Sequence, residues 1–120
     1  MATRPKLITA KELLLMPDND MQHELIRGVL TEDILPGDQH GIVVARIGWL
    51  LGNFSDDNDF GEVSGRSGFL LERNPDTVRC PDLAWVASGR LDRPVPGYAE
   101  LAPDLVVEVR SPSGTWRRGR

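Results

Sequence analysis

Glu108 lies within the apolar run Asp104-Leu105-Val106-Val107-Glu108-Val109. A carboxylate carried into a buried strand needs a partner, because taking an ionised group out of water is costly unless it is paired. A second apolar stretch, Pro81-Asp82-Leu83-Ala84-Trp85-Val86, also opens on an acid. Side chains alternate along a strand, so Asp104, Val106, Glu108 and Arg110 share one face of the first stretch, and Asp82, Ala84 and Val86 share one face of the second. If the two strands pair side by side, Asp82 and Glu108 converge at one end of the sheet. Two carboxylates completed by a backbone carbonyl and water make a hard oxygen site for a divalent ion such as Mg²⁺. The purely structural alternative has Glu108 balanced by Arg110 or Arg79 in an ion pair and Asp82 capping a turn after Pro81.

The elements that must position these acids follow from pattern. Thr9-Ala10-Lys11-Glu12 is a capping box, and it predicts a short helix through Leu13, Leu14, Leu15 and Met16 that stops at Pro17. After the polar Asp18-Asn19-Asp20, residues 23–30 read as one strand, bent or bulged at Gly28 and running on toward Leu35. Over residues 38–54 the apolar positions Ile42, Val43, Ala45, Ile47, Leu50, Leu51 and Phe54 form a helical stripe, with Asp38 available as the cap. The tract Ser55-Asp56-Asp57-Asn58-Asp59 is expected to end that helix as a surface loop, and it lacks the glycine and distal glutamate of a calcium loop. Strands over 60–64, 68–72 and 78–86 are expected to form an antiparallel meander, followed by a Gly- and Pro-rich loop to residue 103 and a last strand over 104–110. A near-continuous apolar strand belongs to a sheet interior covered on both faces. A single long helix covers one face, so the expectation is a domain incomplete after residue 113, or a partner supplying the missing layer.

A chain of 120 residues is the size of one domain with a single core. Hydrophobic residues at 40% and charged residues at 27%, with 12 Gly and 9 Pro, point to a mixed α and β fold with many turns. The net charge of −4 gives no general basic footprint, which weighs against a passive DNA-binding protein and leaves only a local patch or a dimer groove for nucleic acid. Basic charge is carried almost entirely by arginine, Lys6 and Lys11 being the only lysines. Cys80 is the only cysteine, which excludes an intramolecular disulfide or a cysteine zinc cluster and fits a reducing cytoplasm. No stretch has the length of a signal-peptide core, and none approaches the roughly 20 apolar residues of a membrane span.

Taken together, several of these pieces resemble the Uma family of restriction-endonuclease-like proteins, within the PD-(D/E)XK nuclease superfamily. The likeness runs from the short capped helix and Glu24-Leu25-Ile26-Arg27-Gly28-Val29-Leu30, through His40 at the head of the long helix, Gly61-Glu62-Val63 and Cys80-Pro81-Asp82-Leu83-Ala84-Trp85-Val86, to Ala102-Pro103-Asp104-Leu105-Val106-Val107-Glu108-Val109-Arg110-Ser111-Pro112-Ser113. It implies a restriction-endonuclease-type α/β fold, a mixed twisted sheet flanked by helices, with Asp82 as the motif aspartate, Glu108 as the following acid and Glu24 as an additional acid. It further implies Val109 as a backbone-carbonyl ligand, Mg²⁺ or Mn²⁺ as cofactor, and DNA phosphodiester hydrolysis as the activity. The pattern's lysine, two positions after Glu108, is replaced by Arg110, whose guanidinium stabilises phosphorane-like charge but takes no proton from water. In the family that lysine generally lies on a helix after the Ser-Pro-Ser turn. The departure keeps a second class open, a catalytically inactive nuclease-like remnant or interaction module. A homodimer is expected either way, since symmetric cutting of duplex needs two sites and a short sheet needs cover.

Other residues carry two readings each. His40 is a candidate for metal or phosphate contact, or a capping and packing residue at the helix head; His23 has the weaker case of the two. Trp49, Trp85 and Trp116 fit a core or interface better than stacking platforms for bases, and Arg117, Arg118 and Arg120 form a small basic tail.

Overall fold

A computed structural model describes residues 6–17 and 21–110 of the chain. Ser111, Pro112, Ser113, Trp116 and the arginine tail lie outside the described residues, as do Asp18, Asn19 and Asp20. In chain order the elements are α1 (Ala10–Leu14), β1 (Met21–Ile26), β2 (Val29–Ile34), α2 (Asp38–Asn58), β3 (Gly61–Ser64), β4 (Phe69–Glu72), β5 (Thr77–Arg79), β6 (Leu83–Ala87) and β7 (Leu105–Val107). The fold is mixed α/β with antiparallel sheets, and the chain divides into two compact units. No described helix is long and apolar enough to cross a membrane.

The first unit contains α1 and the four-stranded sheet β2-β1-β5-β4. Its core is Ala10, Leu13, Leu25, Leu70 and Val78, with Leu25 directly opposite Val78 across β1 and β5. The capping box forms as expected: Glu12 N–H donates to Thr9 Oγ1 at 3.1 Å and Thr9 N–H donates to Glu12 Oε1 at 3.0 Å. The helix ends at Leu14 with Leu15 as its C-cap, short of Met16. The single bulged strand expected over 23–30 is instead a hairpin, because Ile26 pairs with Val29 and leaves Arg27 and Gly28 as a two-residue loop with φ of 48° and 79°. Two consecutive positive φ values define the turn whose twist suits a tight hairpin. Gly28 N–H donates to the Asp76 carbonyl at 2.7 Å, which ties that loop to the turn before β5.

The second unit contains α2 and the three-stranded antiparallel sheet β3-β6-β7, so the expected meander is not formed. The stretch expected as one strand over 78–86 is broken at Cys80-Pro81-Asp82, with β5 and β6 entering different sheets. Proline has no N–H for a ladder, which makes Pro81 a natural exchange point. Helix α2 continues through the polar tract to Asn58 and stops at Asp59 in the left-handed region (φ 53°); its N-cap is Gly37, with no side-chain capping bond, so Asp38 is its first residue and not its cap.

The face that α2 turns inward is also rotated from the apolar stripe. Buried or half-buried positions are His40, Val44, Ile47, Gly48, Leu51, Gly52 and Ser55, whereas Ile42, Val43, Trp49, Leu50 and Phe54 are exposed. A Cβ placed on Gly48 would meet the Leu83 side chain at 3.3 Å, so this face seats the helix closely against β6. The two polar residues on it are both satisfied: Ser55 Oγ donates to the Gly61 carbonyl at 2.6 Å and accepts from Trp85 Nε1–H at 2.9 Å, and His40 bonds at the other end of the helix. Strand β7 is shorter than expected and is not interior, since Leu105 and Val106 are 46% and 49% exposed and β6 is its partner among the described residues.

Candidate active site

Strands β6 and β7 pair antiparallel with Leu83 opposite Val107, and one more step along that register sets Asp82 opposite Glu108. The two acids meet at the end of the paired strands, as alternation predicts. Their carboxylates close that end reciprocally: Asp82 N–H donates to Glu108 Oε1 at 2.8 Å, and Val109 N–H donates to Asp82 Oδ2 at 2.8 Å. Each bond places a full negative charge on a backbone dipole, which makes it shorter and stronger than a neutral pair. At the opposite end Asp104 does the same, accepting from Ala87 N–H at 2.8 Å beside the Arg90 guanidinium. Those two partners, Ala87 first, hold the Asp104 carboxyl below the usual carboxylate range.

His40 joins the Asp82 side of this arrangement. It is 7% exposed, and its Nε2 lies 3.1 Å from Asp82 Oδ2. The sequence leaves His40 either a metal or phosphate contact or a capping and packing residue, and does not show its partner. The signal was there in the helix period, which puts His40 on the same face as Val44, Gly48, Leu51 and Ser55. His23, in contrast, makes a cross-strand pair with Glu32 at 3.2 Å in the first unit.

Glu24 belongs to the first unit and is 5% exposed. Its Oε2 accepts from the Cys80 N–H at 2.6 Å and from Arg79 Nε at 3.4 Å. Arg79, one of two partners considered for Glu108, is thus engaged by Glu24 instead. Arg110 is exposed, and Trp49 is 67% exposed rather than buried in a core. A cleft of the second unit, lined by Ser55, Asp59, Glu62, Ser88 and Arg93 among others, does not include Asp82 or Glu108 in its walls.

Among the described residues no three of His, Cys, Asp and Glu are gathered so that they could hold a metal ion. The donor chemistry of the Asp82–Glu108 pair nevertheless suits Mg²⁺ or Mn²⁺, because Mg²⁺ keeps several waters and is commonly held by only one or two carboxylates. Both hydrogen bonds that Asp82 accepts from described residues fall on Oδ2, so Oδ1 is the oxygen available to a cation.

The fold is nuclease-like: a crystal structure described as a putative nuclease belonging to DUF820, from Anabaena variabilis, matches with a TM-score of 0.73 at 20% identity, over 90% of this chain and 61% of that one. The chain therefore spans about 61% of that relative's length. It belongs to the Uma2 family, described as "Putative restriction endonuclease", whose model matches residues 10–120. Comparison with curated proteins gave no match.

Proposed function

We propose that this chain is a metal-dependent endonuclease that hydrolyses DNA phosphodiester bonds, with Asp82 and Glu108 holding Mg²⁺ or Mn²⁺. The observation that carries the reading is the meeting of these two carboxylates at the end of the β6–β7 pair, each locked by a backbone N–H donor. A bound divalent ion supplies a Lewis acid for the scissile phosphate and lowers the pKa of a water. Asp82 offers Oδ1, Glu108 its carboxylate and Val109 its carbonyl to that ion, and the backbone donors keep both acids oriented without further reorganisation. Arg110, permanently charged, stabilises negative charge gathering on the phosphate but takes no proton. Glu24 is the further acid in this proposal, on the strength of the family pattern. Two copies of the chain, related by a two-fold axis, supply the two sites needed to cut both strands of a duplex.

Arg110 in the place of the pattern's lysine favours a second reading, an inactive nuclease-like interaction module. Thermal melting separates the two. An ion present at ten times its Kd stabilises the folded state by about 1.4 kcal/mol, a rise of roughly 5 °C for a chain of this size. Mg²⁺ or Mn²⁺ is expected to raise the melting temperature of the wild type but not of Glu108→Ala. A wild type unmoved by millimolar ion supports the inactive module.

A further inference from the structure

We infer that His40 is a positioning residue of the carboxylate site, its Nε2–H fixing Asp82 Oδ2 so that Oδ1 is presented to a divalent cation. The inference rests on the proposal above that Asp82 is a cation ligand, and it assigns His40 a role behind that ligand rather than on the ion.

The geometry supports it in three steps. An ionised carboxylate has only acceptors, so the nitrogen facing it must carry the proton; His40 therefore bonds Asp82 as the Nε2–H donor at 3.1 Å. Val109 N–H donates to the same oxygen at 2.8 Å, and two donors occupy the two lone pairs of Oδ2. The terminal torsion of an aspartate is otherwise broad and two-fold, so a carboxylate with one oxygen held from two sides has lost the freedom to exchange its oxygens.

The seating of α2 makes this lock rigid. His40 and Asp82 side chains are only 8% and 15% exposed. Two helical turns after His40, Gly48 packs against Leu83, the residue that follows Asp82. Further along the same face, Ser55 is bonded to Gly61 and Trp85. The helix is thus fixed to the sheet at two points beyond His40, and His40 is placed by this packing as well as by its bond to Asp82. A histidine that only filled space would need no nitrogen aimed at Oδ2. Groups that orient a metal ligand from behind typically change metal affinity by ~10–100-fold when removed.

The test is Mn²⁺ binding by calorimetry on the whole chain, comparing wild type, His40→Gln and His40→Leu, with melting curves taken without metal to confirm folding. Glutamine places an amide N–H near the position of Nε2 and is expected to keep affinity within about threefold, whereas leucine is expected to lose ~10–100-fold. Equal affinity in wild type and His40→Leu overturns the assignment while leaving Asp82 as a ligand. A wild type that binds no Mn²⁺ overturns the cation site and the role of His40 together. Should His40→Leu fail to fold, the imidazole ¹⁵N shifts of the wild type decide the matter: Nε2 is expected to stay protonated when Mg²⁺ is added, and loss of that proton to direct metal ligation overturns the inference.

Discussion

Asp76→Ala removes a buried carboxylate that holds two backbone donors, and its cost is set by the bonds lost. Asp76 Oδ2 accepts from Ala10 N–H at 2.7 Å and Oδ1 accepts from Asn74 N–H at 3.1 Å, joining the first turn of α1 to the turn before β5. Hydrogen bonds to a charged group contribute about 1.5–3 kcal/mol each. The Ala10 bond is buried and short and takes a middle value, and the bond at exposed Asn74 takes the low end, giving a loss of about 3–4 kcal/mol. At roughly 3–5 °C per kcal/mol for a chain of this length, the melting temperature should fall by about 10–15 °C at pH 7. The pH dependence has a definite sign. The Ala10 and Asn74 amides, in that order, hold the Asp76 carboxyl below its ordinary range. A depressed folded-state pKa gives stability that is fully present above the unfolded value of about 3.9 and is lost as pH falls through the lower folded value. Melting curves by circular dichroism from pH 7 to pH 2.5 should therefore show a constant gap between wild type and variant down to about pH 4, then a narrowing one. A variant melting within 2–3 °C of wild type at pH 7, well inside the ~10–15 °C expected, or a gap that persists undiminished at pH 2.5, refutes the reasoning.

Substitutions at three further positions address the supports of the two units. Gly28→Ala forces a side chain into φ 79°, with its Cβ about 3.2 Å from Leu7 and 3.3 Å from Pro75, and should cost about 1–2 kcal/mol in urea unfolding with an unchanged slope. Ser55→Ala leaves the indole N–H of Trp85 without its acceptor and should cost about 1–3 kcal/mol by the same measurement, with no change in α2 helicity by circular dichroism. Glu24→Gln keeps an acceptor for the Cys80 amide, while Glu24→Leu strands both that amide and Arg79. The leucine variant should therefore be the less stable by about 2 kcal/mol or more, and equal stability would show that the pair contributes nothing.

Much of the candidate site was legible in the sequence because it depends on period-two alternation and a single register. Asp82 and Glu108 flank apolar runs that pair antiparallel, and no other geometry was needed to bring them together. The capping box was legible for a similar reason, being local chemistry over four residues. What was missed required tertiary information. Arg27 gives little hint of a positive φ, so the Arg27-Gly28 hairpin loop passed for a bulge within one strand. Hydrophobicity alone marks the wrong face of α2; His40 and Ser55 occupy the inward face at the cost of apolar positions, each compensated by a specific bond, while Trp49, Leu50 and Phe54 face outward. The same error hid the partner of His40. Pro81 was visible as a residue unable to join a ladder, yet the run from Val78 to Val86 was apolar enough to mask the change of sheet.

Nicking of a supercoiled plasmid by the wild type, Asp82→Ala and Glu108→Ala in the presence of Mn²⁺ tests the account at its centre. The wild type should convert supercoiled to open-circular DNA, EDTA should stop it, and each substitution should reduce the rate at least ~100-fold, as expected when a ligand of an essential ion is removed. Nicking that survives in both substituted chains, or a wild type that leaves the plasmid intact while binding no ion, contradicts the claim that these two carboxylates form a nuclease centre.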